Sequence, residues 1–212
     1  MMKKVKYVPP KIFHKLFPGT IWESKVDKIL FTFDDGPNPE TTPIILEKLN
    51  EHSIKAIFFC VGENVERYPD LAKQIIDEGH LIGNHTISHK NINLLNIKAN
   101  SSIAECSNII EKTTGIEPKY FRPPHGRIGL LTETLMKRNN LTNVMWSLLT
   151  YDYKSDFNIV IFAVNKYLNK NSIIVLHDSL KSQAIIEKSI DYIIEKTKQN
   201  GYEIGDPSKC LK

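Results

Sequence analysis

The chain has 212 residues, of which 41% are hydrophobic and 25% charged, and a formal charge of +4. That length bounds one domain or a modest α/β barrel, and the composition excludes a disordered or fibrous chain. The lysines are scattered rather than gathered into a stripe, which argues against nucleic-acid tracking and against a basic membrane-surface helix.

Residues 1–27 mix prolines and lysines with the isolated aromatics Phe13, Phe17 and Trp22, and read as an irregular arm laid on the body. This arm holds no apolar run long enough for a signal peptide or a membrane span, so the chain is expected to remain in the cytoplasm. Trp22 is expected to serve arm packing rather than a sugar platform.

A regular rhythm starts at residue 28 and defines one domain over 28–212. Runs rich in β-branched and aromatic residues predict strands at 28–33, 55–61, 80–83, 119–122, 142–147, 172–177 and, weakly, 202–205. Between them, Pro43 opens a helix that can turn Ile44, Ile45, Leu46 and Leu49 to a sheet, and Pro69 opens another that Gly79 ends. Further helices fit 97–114 before Gly115, 131–139, 157–169 and 182–199 before Gly201. Strands alternating with helices imply a parallel sheet, and about seven such units can close, or nearly close, into a barrel, with an open doubly wound sheet as the competing architecture.

The polar residues at the strand ends favour the barrel. Asp34 and Asp35 stand where the first strand breaks into Gly36-Pro37. His85 and His89 follow the third, and their spacing predicts that both imidazoles fall on one side of a single helical turn. Arg122-Pro123-Pro124-His125-Gly126 ends the fourth, Asp152 follows the fifth and His177-Asp178 ends the sixth. In a parallel barrel all of these reach the C-terminal rim, where active sites are built.

Two imidazoles and one carboxylate suit zinc or another divalent first-row metal and leave coordination positions open for water. Each piece alone has an ordinary structural explanation: a helix cap for the Asp pair, a solvated helix face for the His pair, a satisfied strand end for His177. Their convergence on one rim weighs against all three. Cys60, Cys106 and Cys210 are odd in number and lack ligand spacing, so neither a disulfide framework nor a cysteine metal site is expected. His14, His52 and His80 match no motif and are expected to be structural or exposed.

Over residues 28–205 these motifs, in this order, resemble those of the polysaccharide deacetylases, the NodB-homology family that acts on chitin oligosaccharides and peptidoglycan and folds as a distorted, nearly closed (β/α)7 barrel. The resemblance implies Asp35, His85 and His89 as ligands of one divalent metal, zinc first, with cobalt, nickel or manganese as alternatives. It implies Asp34 as general base with Arg122 as its partner, and the backbone N–H of His125 as a stabiliser of the oxyanion. It implies His177 as general acid with Asp152 beside it, Asp178 remaining a rival for that place. Substrate contacts are expected from Pro124, His125, Tyr153 and Val175. The chain departs from the family pattern at His125, often Tyr, at Tyr153, often Trp, at Val175, usually Leu, and at Leu149, Asp in many relatives.

The implied activity is metal-dependent removal of N-acetyl groups from amino sugars in a poly- or oligosaccharide. Two alternatives stay open: a deacylase or amidase of the same fold on a small non-sugar substrate, and a silent carbohydrate-binding homologue. A glycan is the expected partner, with no nucleic acid and no membrane-spanning segment.

Overall fold

The structure is a computed structural model, and it describes residues 7–89 and 98–212. Its strands are β1 (Lys28–Asp34), β2 (Ile57–Cys60), β3 (Leu81–Asn84), β4 (Tyr120–Phe121), β5 (Thr142–Asn143), β6 (Leu148–Leu149), β7 (Ile173–His177) and β8 (Glu203–Ile204). They run in the order β5-β4-β3-β2-β1-β7-β6, with β8 beside the start of β1, and every pairing is parallel. The two outer strands β5 and β6 are consecutive in the chain, so the sheet curls round on itself into a distorted, nearly closed barrel.

The helices are α1 (Lys11–Leu16), α2 (Thr42–Glu51), α3 (Gly62–Arg67), α4 (Pro69–Asp77), α5 (Lys98–Thr114), α6 (Thr132–Arg138), α7 (Phe157–Tyr167), α8 (Ile186–Gln199) and α9 (Pro207–Cys210). Pro43 and Pro69 occupy first turns, where no N–H is missed. Gly79 ends α4 at φ 80, a left-handed value that glycine adopts without cost. Among the described residues no helix is long and apolar enough to cross a membrane.

The period-2 alternation of a strand sorts side chains to two faces and so builds the barrel. Ile29, Phe31 and Phe33 of β1, Phe58 and Cys60 of β2, and Ile174 and Leu176 of β7 join the core beneath the helices. Leu30, Ile57, Phe59 and Ile173 pack together on the other face. Each fully buried Ile, Leu or Phe contributes roughly 1.5–3 kcal/mol of transfer free energy. On this inner face β1 goes from Leu30 through Thr32 to Asp34, and β7 from Ile173 through Val175 to His177, apolar at the bottom and polar at the rim.

Several expectations change. The run 142–147 is not one strand: β5 stops at Asn143, and the carbonyls of Val144 and Met145 accept from the Arg122 side chain instead. Asp152 therefore follows β6. The helix expected from 182 begins at Ile186, because Ser182 Oγ donates to the carbonyls of His177 and Ser179 and holds 181–185 as turns. The helices α1, α3 and α9 were not expected. Ile97, the expected start of α5, and residues 1–6 of the arm lie outside the described residues.

Of the rest of the arm, Ile21 donates to the Asn143 carbonyl (2.9 Å) and accepts from the Met145 N–H (2.8 Å), lying alongside the seam between β5 and β6. Trp22 is buried, with His14 stacked on it at 4.9 Å, so it packs the arm. All three cysteines are free and buried.

Candidate active site

Strand register puts the chemistry at one level. Asp34 is opposite His177 on β7, Cys60 opposite Asn84, and Asn84 opposite Phe121. Asp35, His85 and Arg122 thus leave the sheet together at its C-terminal rim.

Asp35 Oδ1 lies 3.5 Å from His85 Nε2 and 3.1 Å from His89 Nε2. One ligand atom from each of these residues falls within 4.8 Å of the others, and no other cluster of this kind exists among the described residues. The two imidazoles do not meet through a helical turn. Residues 85–89 form a loop in which Thr86 (φ 72) and His89 (φ 49) take left-handed backbone, as does Asp35 (φ 78). The start of α3 holds that loop, because the Gly62 and Glu63 N–H groups, free of helical partners, donate to the carbonyls of Thr86 and Ile87 at 2.9 Å each. Non-glycine residues in this region are held there by their surroundings, and such strain gathers at functional sites.

The donor set fits a divalent cation. His85 Nδ1 sits 2.7 Å from the Arg122 carbonyl, which makes Nδ1 the N–H donor and leaves the Nε2 lone pair free toward Asp35. Asp35 Oδ1 is buried yet has no hydrogen-bond partner. Burial pushes the Asp35 carboxyl up, but His85, followed by His177 and His89, more than reverses this and holds it well below the usual carboxylate range. Burial pulls His89 down to about 4. An ionised carboxylate beside neutral imidazole is the protonation state that a metal requires.

Asp34 turns the other way. Its Oδ1 accepts from Arg122 Nη1 at 2.8 Å, and the same nitrogen donates to Thr32 Oγ1 at 2.6 Å. Arg122 Nε and Nη2 donate to the Val144 and Met145 carbonyls at 2.9 Å each, and the guanidinium lies 4.2 Å from the Phe59 ring centroid. This arginine is fully buried, so it is no surface ion pair.

His177 pairs with Asp152 and not with Asp178. His177 Nδ1 lies 2.7 Å from Asp152 Oδ1, while Asp152 Oδ2 accepts from the His177 backbone N–H at 2.7 Å. Burial opposes charge on this imidazole, but the Asp152 carboxylate outweighs it and raises the pKa to about 9. Asp178 accepts from the hydroxyls of Thr41 and Thr42, and its N–H donates to the Asp34 carbonyl at 2.7 Å. It braces the turn after β1. A Cβ on Gly36 would collide with Asp178 Oδ2, which is why that position is glycine.

These groups open into a cleft of about 370 Å³ lined by both aspartates, His85, His89 and His177, with His125, Leu149, Tyr153 and Val175 on its walls. Pro124 is buried in the turn before His125 and is not on the wall. Tyr153 sets its ring edge-on to His177 at 4.7 Å, and the His125 ring is 4.7 Å from that of His89. Gly126 of the motif that ends the fourth predicted strand also lines the cleft, as do Trp146, Tyr151 and Lys181, which were not anticipated. The strand pattern places Trp146 inside the run 142–147 and gives it no role at the site. The one sequence signal for it is Gly126, where a Cβ would collide with the Trp146 ring.

Comparison with known proteins gives the following. The family model for polysaccharide deacetylases matches residues 23–144. A peptidoglycan-N-acetylglucosamine deacetylase of Bacillus cereus is 43% identical over 131 residues, which is 60% of this chain and 46% of that protein. A second protein of that name from the same organism is 33% identical over 189 residues, 87% of this chain and 88% of its own length. A crystal structure of a peptidoglycan N-acetylglucosamine deacetylase in complex with 4-naphthalen-1-yl-N-oxidanyl-benzamide has a TM-score of 0.85 at 31% identity and covers 93% of this chain and 95% of its own. The matched region is thus less than half the length of the first of these relatives.

Proposed function

The chain belongs to the polysaccharide deacetylase family, and from that premise we propose that it is a metal-dependent hydrolase that removes N-acetyl groups from the N-acetylglucosamine units of a peptidoglycan-type or oligomeric glycan. The observation that carries this reading is the cluster of Asp35, His85 and His89, whose ligand atoms lie within 4.8 Å of one another, on the same rim as the Asp34–Arg122 and His177–Asp152 pairs.

Asp35, His85 and His89 would hold the cation, zinc being well suited to a site of two imidazoles and one carboxylate. When bound, it supplies Lewis acidity, lowering the pKa of a water and polarising the acetyl carbonyl. The protein's own groups do the rest. Asp34, oriented by Arg122, takes a proton from the water that attacks the carbonyl carbon. The negative charge that develops on the carbonyl oxygen is stabilised in part by the His125 backbone N–H, in a turn stiffened by Pro123 and Pro124. His177, kept protonated by Asp152, gives its proton to the amine nitrogen as the carbon–nitrogen bond breaks, yielding acetate and a free amino sugar. Leu149 and Val175 provide an apolar wall for the acetyl methyl.

The test is acetate release by the metal-loaded protein from N-acetylglucosamine oligomers and peptidoglycan fragments. Wild type should release acetate, and Asp34→Asn should be slower by about 10²–10⁴-fold, the usual contribution of a general base. No acetate from any of these substrates would sink the deacetylase reading. Acetate release undiminished in Asp34→Asn would sink the assignment of the base.

A further inference from the structure

A line of aromatic rings leads from the proposed acid out of the cleft and into the N-terminal arm. Tyr153 lies edge-on to His177 at 4.7 Å, Tyr151 is 5.5 Å from Tyr153, and Tyr7 meets Tyr151 edge-on at 5.0 Å. Tyr151 and Tyr153 line the cleft, while Tyr7 does not. Tyr7 is itself gripped by α7, stacked on Tyr167 at 5.5 Å and 5.6 Å from Phe162. The Tyr151 backbone is left-handed at φ 61 and ψ 26, a conformation that a residue with a side chain keeps only where its surroundings hold it.

We infer that Tyr7 is a positioning residue for the sugar-binding wall: from the arm, it presses Tyr151 toward Tyr153 and so sets the width of the cleft beside His177, without touching substrate. This rests on the deacetylase reading. Edge-to-face aromatic contacts are directional, so a ring clamped between two others keeps its orientation. A flat tyrosine face held in that orientation offers the amphipathic surface that the C–H face of a sugar needs. The base, its arginine and the His177–Asp152 pair keep their partners without Tyr7, so binding should respond to its loss and the chemical step should not.

Steady-state deacetylation of an N-acetylglucosamine oligomer, together with calorimetric Kd for that oligomer, tests this in wild type, Tyr7→Phe, Tyr7→Ala and Tyr7→Leu. Tyr7→Ala should raise KM and Kd by about 3–10-fold, the range of one aromatic contact, with kcat within about twofold. Tyr7→Phe should restore wild-type values, because the ring and not the hydroxyl makes the brace. Tyr7→Leu keeps apolar bulk against Phe162 and Tyr167 but lacks a ring edge, so it should behave as Tyr7→Ala does and stands in for it if that variant fails to fold. Unchanged KM and Kd in both ring-less variants, a fall in kcat alone, or no rescue by Tyr7→Phe would overturn the inference. Wild type that binds the oligomer more tightly than Tyr7→Leu but releases no acetate would support the brace and overturn the deacetylase reading alone.

Discussion

The side chains that end the strands divide the work by their partners rather than by residue type. Asp34 and Asp35 are neighbours, yet one accepts from a buried guanidinium and the other faces two imidazoles. The same sorting separates Asp152, bonded to His177, from Asp178, bonded to Thr41 and Thr42. His177 has its pKa raised to about 9, above the unfolded value near 6.5. Its pair with Asp152 therefore stabilises the fold fully below about pH 6.5, and that contribution is lost as pH rises through about 9. Thermal unfolding of the metal-free protein between about pH 6 and 10 should show this decline in wild type, and Asp152→Asn should flatten it. In deacetylation the same variant should move the alkaline limb down toward the ordinary histidine range. An unchanged limb would mean that another group is the acid.

Loops at this rim hold conformations that residue types alone do not announce. The approach of His85 and His89 was foreseen from their four-residue spacing after a strand, but through a helical turn that a loop replaces. The left-handed Thr86 and His89 were not, because the carbonyls of Thr86 and Ile87 find their donors on α3, a short helix with no sequence mark of that role. Strands β1, β2 and β7 were legible because their apolar runs pack on both faces. The split at 144–147 was not, since it depends on where a buried arginine sends its N–H groups. Tyr151 and Trp146 escaped notice for a similar reason: each lines the cleft through tertiary contacts, with no local pattern to mark it. Gly126 offers a test at this scale. With φ 64 and the Trp146 ring against it, Gly126→Ala should cost about 1–3 kcal/mol in denaturant unfolding by forcing that ring to move. It should also weaken substrate binding, because the same ring lines the cleft.

Over the whole molecule, one arginine ties together the parts that a nearly closed barrel leaves apart. Arg122 stands after β4, donates to Thr32 and Asp34 of β1, and holds the carbonyls of the β5–β6 seam, while its own carbonyl receives His85. Arg122→Lys keeps the charge but cannot reproduce this fork, so it should lower stability by about 3–5 kcal/mol, the cost of leaving buried partners unpaired. Stability equal to wild type would mean that the seam closes without it. The most direct test of the account is calorimetric titration of the metal-free protein with zinc. It predicts one ion bound per chain, and at least a tenfold loss of affinity in Asp35→Asn, a replacement that tolerates the left-handed backbone at that position. Absence of binding, or binding equally tight in Asp35→Asn and in a His85→Ala, His89→Ala double variant, would contradict it.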